Sequence, residues 1–201
     1  MKETATAEER IKDAAQKVFL EKGFDGTTTR DIAKEAGVNS ALMNYYFRSK
    51  EKLFCSVFSD MCQLFFQGMQ DILTKPLELK EKIAEIIDHD FKMFKNHPDL
   101  SLFILNEIHR NPERVMEAIP IAKHIVHGIF EEQLRDAITH KQVRNVDVKS
   151  IFLMIIANTQ FIFQCKAMHM HMWQVSEEEY YEFAEKHKKL ICDMIISYLF
   201  I

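Results

Sequence analysis

The sequence contains few of the residues that turns and sheets require. Only 5 glycines and 4 prolines occur in 201 residues, beside 16 phenylalanines and 11 methionines. Because β-hairpins and short strands need frequent turn residues, this scarcity argues against a sheet-rich fold and predicts an all-α protein. The composition is otherwise that of a globular chain, 47% hydrophobic and 28% charged, which argues against a disordered protein.

Cysteine is also scarce, and its spacing contains no metal-binding motif. The four cysteines, Cys55, Cys62, Cys165 and Cys192, form no Cys-x-x-Cys pair, so we expect reduced, buried thiols. No apolar run reaches the length of a membrane span, and the N-terminus carries acidic residues where a signal peptide would be basic. We therefore expect a cytoplasmic protein with no membrane partner.

The net charge of the chain does not by itself indicate a nucleic-acid partner. It is −4 at pH 7, and the balance is acidic mainly after residue 52. An acidic protein can still bind DNA through a locally basic face, so the charge leaves this function open. Evidence for or against DNA binding must therefore come from sequence motifs.

One segment, residues 27–54, has the pattern of two short helices around a tight turn. Thr28 can cap the first helix, and Asp31, three residues later, can complete a capping box. Gly37 can end that helix, because glycine adopts the left-handed conformation without a steric penalty. Asn39 or Ser40 can then cap the second helix.

The second of these short helices has one apolar face and one that is polar, small or aromatic. Met43 and Phe47 lie four residues apart on the apolar face. The opposite face suits contacts with base edges, and two helices joined by a glycine turn match the helix-turn-helix motif, whose second helix enters the DNA major groove. The outward residues are Ser40, Ala41, Asn44 and Tyr45.

At these positions the chain resembles the TetR family of bacterial transcription regulators. The resemblance is detailed over roughly the first quarter of the chain and extends to the rest only in length and helical character. Asn44 followed by Tyr45 departs from many members, which affects the expected base preference. The matching residues are Thr28-Thr29, Ile32-Ala33, Ala36-Gly37-Val38, Tyr45-Tyr46-Phe47 and Ser49-Lys50-Glu51-Lys52-Leu53.

The resemblance implies an all-α fold of about nine helices. A three-helix helix-turn-helix head would occupy residues 1–50, and a helical bundle that binds ligand and dimerises would occupy residues 51–201. The implied function is that of a repressor, released from a pseudo-palindromic double-stranded DNA operator by a small-molecule effector, with no cofactor. We expect the DNA contacts to come from Thr28, Thr29, Arg30, Asn39, Ser40, Ala41, Asn44, Tyr45, Tyr46 and Lys50.

The resemblance also implies a homodimer formed by the last two helices. The segment Ile151 to Phe163 is apolar on nearly all sides, which indicates burial on more than one side. A capping box at Ser176 and Glu179 predicts the start of the last helix. The predicted interface residues are Ile151, Ile155, Phe163, Leu190, Met194 and Tyr198.

A long helix from about Lys50 to Leu73 is expected to link head and body, and Pro120 is expected to kink or split a later helix. The body is rich in aromatic residues, which could line an effector cavity for an apolar or amphipathic molecule. A filled aromatic core would explain the same composition. The candidate pocket residues are Met61, Phe65, Phe91, Phe94, Phe103 and Phe130.

Three short patterns suggest metals, but none is well supported. Asp88-His89-Asp90 lacks a second cluster, His124 and His127 lack a third ligand at matching spacing, and the Met168–Met172 tract alternates across a helix. We therefore expect no metal. The remaining alternative to a repressor is a helical small-molecule-binding protein or enzyme whose head no longer binds DNA.

Overall fold

The computed structural model describes residues 6–119 and 128–201 of the chain. Within these ranges the chain is helical, and the only extended pairing is an isolated antiparallel bridge between Val143 and Phe200. The predicted all-α fold class is confirmed.

Eleven α-helices are present in the described residues. They are α1 (Ala7–Gly26), α2 (Thr29–Glu35), α3 (Ser40–Phe47), α4 (Lys50–Thr74), α5 (Leu79–Asn96), α6 (Pro98–Arg110), α7 (Pro112–Ala118), α8 (Ile129–Thr139), α9 (Val148–Gln164), α10 (Lys166–Trp173) and α11 (Glu177–Leu199).

The helix count in the described residues exceeds the predicted nine, and two of the breaks between helices are well defined. Asn111 ends α6 and caps α7, with Pro112 at the first helical position, where its missing N–H costs nothing. At Cys165 the chain bends by 64° between α9 and α10. The kink predicted at Pro120 lies outside the described residues.

The described residues group into two compact units. One contains residues 6–64 and 102–119, and the other contains residues 65–101 and 128–201. The division falls within α4, after Leu64, and within α6, after Ser101, so both helices contribute to both units. The functional boundary predicted at residue 50 stays a prediction.

The first unit is built around a cluster of phenylalanine rings. Phe54 packs edge-on against Phe19 and Phe24, with ring centroids 5.2 and 5.0 Å apart, and stacks on Phe58 at 5.2 Å. Phe103 of α6 contacts Phe58 at 5.7 Å. All five rings are buried, so α1, α4 and α6 share one aromatic core.

The second unit has an aliphatic core formed by the end of α4 with α5, α8, α9 and α11. Ile83, Ile151, Ile155 and Ile191 are almost completely buried there. Lys82 is buried as well, and its ammonium donates to the Leu73 carbonyl at 2.8 Å and to the side-chain oxygen of Gln133 at 2.7 Å. This bond partly satisfies the carbonyls at the C-terminal end of α4.

No single described helix is long and apolar enough to cross a membrane; only the bent pair α9 and α10 passes that test together, by length and composition. All four cysteines are free thiols. Cys62 alone is fully buried, and burial raises its pKa to about 12; the expectation of buried thiols was wrong for the other three, which are half-exposed.

Candidate nucleic-acid interface

The helix-turn-helix forms as its capping pattern predicts. The Thr28 hydroxyl oxygen accepts from the Asp31 N–H at 3.1 Å, and the Asp31 carboxylate accepts from the Thr28 N–H at 3.0 Å. The Thr28 hydroxyl also donates to that carboxylate, and this bond lowers the pKa of Asp31. Gly37 has φ of +64°, the left-handed conformation expected of a glycine in this turn.

Helix α3 is held by one face and presents the other to solvent. Asn39 caps it by accepting from the Leu42 N–H at 2.8 Å, and Met43 and Phe47 are buried. Tyr45 is 77% exposed and packs edge-on against Tyr46, with ring centroids 5.4 Å apart. The predicted base-facing residues Ser40, Ala41 and Asn44 are likewise exposed.

The predicted DNA-contact residues of α2 and of the helix caps differ in how free their side chains are to bind DNA. Arg30 is exposed and Thr29 is half-buried, both in the first turn of α2. Thr28 and Asn39 use their side-chain oxygens as helix caps, so they position helices and have little left to offer DNA. We infer that their part in the interface is indirect.

Lys50 is anchored inside the first unit. Its ammonium donates to the carbonyls of Phe24 and Thr27, both at 3.0 Å, and lies 4.1 Å from the centre of the Phe24 ring. Two of its three N–H groups therefore serve the C-terminal end of α1, and one remains for another partner.

The end of α1 is also clamped by residues that the sequence analysis did not identify. Glu107 of α6 accepts from the Phe24 N–H at 3.0 Å and from the Arg114 guanidinium at 2.9 Å. The Arg114 guanidinium lies 3.6 Å from the centre of the Phe24 ring. We call Phe24, Glu107 and Arg114 the α1 clamp. Its only sequence signal is that Glu107 lies four residues after Phe103, on the buried face of α6.

The clamp requires the break in α1. Gly23 has φ of +69° and ψ of 175°, a conformation that interrupts the helix and turns Phe24 into the core. A Cβ at this position would lie 3.2 Å from a guanidinium nitrogen of Arg110. Thr27 is buried and donates to the Gly23 carbonyl at 2.7 Å, which fixes the turn before α2.

The predicted effector residues are divided between the two compact units. Met61 and Phe103 belong to the first unit, and the other four to the second. Within the second unit Phe65 contacts Phe94, with ring centroids 5.7 Å apart, while Phe91 packs on Phe163 and Phe130 on Phe152. None of the six lines the surface cavity beside Trp173 or the one beside Asn145, and the effector site stays a prediction.

The prediction was wrong for three of the six residues assigned to the dimer interface. Ile151, Ile155 and Phe163 lie in the core of their own chain, since helix α9 turns these positions toward α5 and α11. The exposed face of α9 carries Leu153, Ile156, Ala157 and Phe161 instead. The predicted residues of α11 are exposed as expected, namely Leu190, Met194 and Tyr198.

The metal interpretations gain no support within the described residues, where no group of three possible ligands occurs. Asp88 pairs with Lys92 and Lys188, and the His89 Nε2 contacts the Phe65 carbonyl at 2.8 Å. The Met168–Met172 tract forms most of α10. His124 and His127 lie outside the described residues.

Known proteins share both the head and the fold. The family model of the bacterial regulatory proteins of the tetR family matches residues 11–57. The fatty acid metabolism regulator protein of Bacillus subtilis is 26% identical over 130 residues, which cover 63% of this chain and 67% of that protein.

Two solved structures agree over nearly the whole chain. The regulator FadR from Bacillus subtilis, in complex with stearoyl-CoA, superposes with a TM-score of 0.66 at 22% identity, over 91% of this chain and 96% of that one. The ketosteroid transcriptional regulator of Mycobacterium tuberculosis gives 0.70 at 17% identity, over 99% and 97%. At these identities the structures show the fold.

An anchored recognition helix on an all-α body defines a DNA-binding transcriptional regulator of the helix-turn-helix class. The head of this chain, residues 11–57, matches the tetR family of bacterial regulatory proteins, and the fold of the whole chain is shared with regulators of known structure.

Proposed function

We propose that the protein is a homodimeric repressor that binds a pseudo-palindromic operator and leaves it when a small-molecule effector binds the body. The observation that carries this proposal is the exposed face of α3, held by the buried Met43 and Phe47 and capped by Asn39. A rigid helix with one free face is what major-groove recognition requires.

The exposed residues divide between positioning and reading. Arg30, Thr29, Tyr45, Tyr46 and the remaining N–H of Lys50 are suited to phosphates, which fix the protein on the duplex. The base-facing residues are Ser40, Ala41 and Asn44. The Asn44 amide can pair with adenine in a bidentate manner, an interaction worth about 1–3 kcal/mol of discrimination.

The α1 clamp offers a route by which an effector could change the head. Helix α6 begins in the second unit and ends in the first, where Glu107 holds the end of α1. A shift of α6 would move the carboxylate away from the Phe24 N–H and from Arg114. An effector acts only through its difference in affinity between the two arrangements, and full release takes roughly 5.5 kcal/mol of that difference.

Long-chain acyl-CoA esters are the effector class to test first. One structural neighbour is described in complex with stearoyl-CoA, and one relative is a fatty acid metabolism regulator. The apolar and aromatic body of this chain suits an acyl chain. These observations support the class and leave chain length open.

The dimer would form through α9 and α11. The exposed apolar residues of α11 recur at spacings of seven and four, the pattern of a helix that packs against another helix. A two-fold dimer would place two copies of α3 about one DNA turn apart, which is why we expect a pseudo-palindromic operator.

Selection of bound sites from a random duplex pool tests the proposal. We expect the full chain to enrich a pseudo-palindrome, and stearoyl-CoA or a shorter acyl-CoA to lower its retention. Asn44→Ala should relax the preference at one position of each half-site, whereas Lys34→Ala, an exposed change elsewhere on α2, should leave the preference unchanged. Failure to retain any duplex at low salt would favour a helical ligand-binding protein whose head no longer binds DNA.

A further inference from the structure

A small aromatic pocket lies on the exposed side of α9, α10 and α11. Its volume is about 210 Å³, and it is open to solvent. His169 stacks on Trp173 with centroids 4.7 Å apart, Trp173 meets Phe183 edge-on at 5.1 Å, and Phe183 stacks on His187 at 5.7 Å. We call this row of rings the aromatic ladder. Ala157, Asn158, Phe161 and Ile162 complete the pocket.

Hydrogen bonds fix one end of the aromatic ladder. The Tyr180 hydroxyl donates its single proton to the Ile162 carbonyl at 2.6 Å. The His169 Nδ1, 3.0 Å from the same oxygen, must therefore donate to it, which leaves the Nε2 of a neutral His169 as an acceptor. Burial raises the pKa of Tyr180 to about 12, so its proton stays in place. The pocket is thus a preformed feature.

The size of the pocket favours a protein side chain over a small-molecule ligand. Ligand pockets usually measure about 300–1,000 Å³, which is more than this pocket holds. Side chains that fill small pockets at the centre of an interface commonly contribute most of the binding energy. The surrounding surface supplies such side chains, since Leu153 is 67% exposed and Met194 is 55% exposed.

The charges beside the pocket are compatible with a second copy of the same surface. Along the solvent edge of α11 lie Glu182, Lys186, Lys189 and Asp193, two acidic and two basic residues, all exposed. None of the four forms an ion pair within the described residues. A surface with equal numbers of unpaired acidic and basic residues does not repel its own copy, because acidic residues of one copy can pair with basic residues of the other.

We propose that the aromatic ladder is part of the dimer interface, where its pocket holds an apolar side chain of the second copy, and that proton uptake by His187 separates the two copies. This inference rests on the dimeric regulator proposed above and adds the helix α10 and a pH control to it. His187 occupies an interface position on α11, between Phe183 and Leu190, where a partner would remove it from water.

The sign of the pH effect follows from burial. Desolvation already lowers the pKa of His187, and a partner would lower it further, so the dimer favours the neutral ring. Dimer stability is therefore complete above the pKa of His187 in the monomer and is lost as the pH falls below it. With one such residue in each copy, the dimer dissociation constant should rise on the order of 10–100-fold from pH 7.5 to pH 5.5.

Other titratable groups near His187 have different partners. His169 is the only other one lining the pocket. On α11, Lys188 pairs with Glu185 and with Asp88 of α5, and Lys95 of α5 pairs with Glu185. Lys186 is exposed beside His187, and its positive charge would add to the cost of protonating the imidazole.

Two measurements on the full chain between pH 7.5 and 5.5 test the inference: sedimentation equilibrium and the fluorescence emission of Trp173. Trp173 is the single tryptophan of the sequence, so its emission should shift to longer wavelength as dilution separates the copies. His187→Phe keeps a ring against Phe183 but cannot take a proton, and its dimer should be insensitive to pH. His171→Phe, outside the pocket, should keep the wild-type dependence.

Two results would overturn this inference without affecting the proposed function. One is an unchanged Trp173 emission when a wild-type dimer dissociates, and the other is a wild-type pH dependence in His187→Phe. Operator retention at pH 7.5, measured in parallel, keeps the proposed function separate from this outcome. A wild-type chain that is monomeric at micromolar concentration and pH 7.5 would contradict both. Circular dichroism at each pH confirms that the monomers stay folded.

Discussion

Within residues 6–119 and 128–201, each compact unit contains one buried carboxylate, and the two have different kinds of partner. Glu107, in the first unit, accepts from the Arg114 guanidinium and from a backbone N–H. Asp90, in the second, has only the Thr159 hydroxyl and the Gln160 amide as partners, and burial raises its pKa to about 6. The first unit therefore pairs its buried carboxylate with a cation, whereas burial in the second unit shifts the Asp90 carboxyl toward its protonated form.

Burial raises the pKa of Asp90, and its hydrogen bonds to Thr159 and Gln160 oppose this effect only in part. The Thr159 oxygen lies within reach of both Asp90 and the Ile155 carbonyl, which is 2.9 Å away, but the hydroxyl has one proton for the two. If Asp90 is protonated, it can donate to Thr159, which is then free to donate to Ile155. In this form Asp90, Thr159 and the Ile155 carbonyl are all joined by hydrogen bonds.

The comparison shows that buried charges serve different purposes in the two units. The ion pair of the α1 clamp joins α1, α6 and α7 by a contact that requires both charges. The Asp90 cluster joins α5 and α9 by hydrogen bonds that a neutral side chain could supply equally well. Substitutions that remove only the charge should therefore have opposite consequences.

The largest effect is expected for Glu107→Gln. The change keeps the size of the side chain but leaves the Arg114 guanidinium half-buried and without its ion-pair partner. The Nε of the same guanidinium already has no hydrogen-bond partner in the described residues. Breaking a buried pair on one side typically costs about 3–5 kcal/mol. Urea denaturation should show this loss in the free energy of unfolding. Glu113→Gln, on the exposed face of α7, is the matched control and should change it by less than about 0.5 kcal/mol.

Asp90→Asn should act in the opposite direction. Because the native pKa of Asp90 exceeds its ordinary value of 3.8, the folded protein binds this proton more tightly, and stability falls as the pH rises from about 4 to about 6. The variant should lose this slope, worth about 2–3 kcal/mol, and exceed the wild type at pH 7. Denaturation at pH 4 and pH 7 measures both. A difference between variant and wild type that is the same at the two pH values would contradict the assignment.

Whether a contact could be predicted from the sequence depends on how far apart its two residues lie along the chain. The capping boxes at Thr28 and Ser176 join residues three apart, and sequence reasoning identified both. The bond from Phe24 to Glu107 joins residues 83 apart, and the one from Thr159 to Asp90 joins residues 69 apart. No local pattern encodes such pairs.

Helix α9 shows a second limit. Its sequence is apolar on nearly every side, so periodicity could not separate Ile151 and Ile155, which face the core, from Leu153 and Ile156, which face solvent. Helix α11 has charged residues between its apolar ones, and the residues predicted there for the dimer interface are exposed, although the interface itself stays a prediction. Amphipathic contrast is what makes a face predictable.

Gly23→Ala tests whether the α1 clamp depends on the local backbone. The conformation of Gly23 is one that residues with a Cβ rarely adopt, and the cost of forcing it is about 1–3 kcal/mol. The added Cβ would also press on Arg110. We expect a lower melting temperature and weaker operator binding. Gly26→Ala, where a Cβ would make only an ordinary contact with Lys22, should leave both unchanged.

The smallest effect concerns Lys50, whose two roles can be separated by salt. Lys50→Met keeps the apolar stem but loses the bonds to Phe24 and Thr27, so the free energy of unfolding should fall by about 1–2 kcal/mol. If the third N–H binds a phosphate, operator affinity should weaken for every sequence alike, and the slope of log affinity against log salt should decrease by about one. Lys52→Met, an exposed neighbour, controls for the stability change. An unaltered salt slope, with the stability loss present, would mean that Lys50 serves only to hold the end of α1, and the phosphate contact would then belong to Arg30 and the tyrosines.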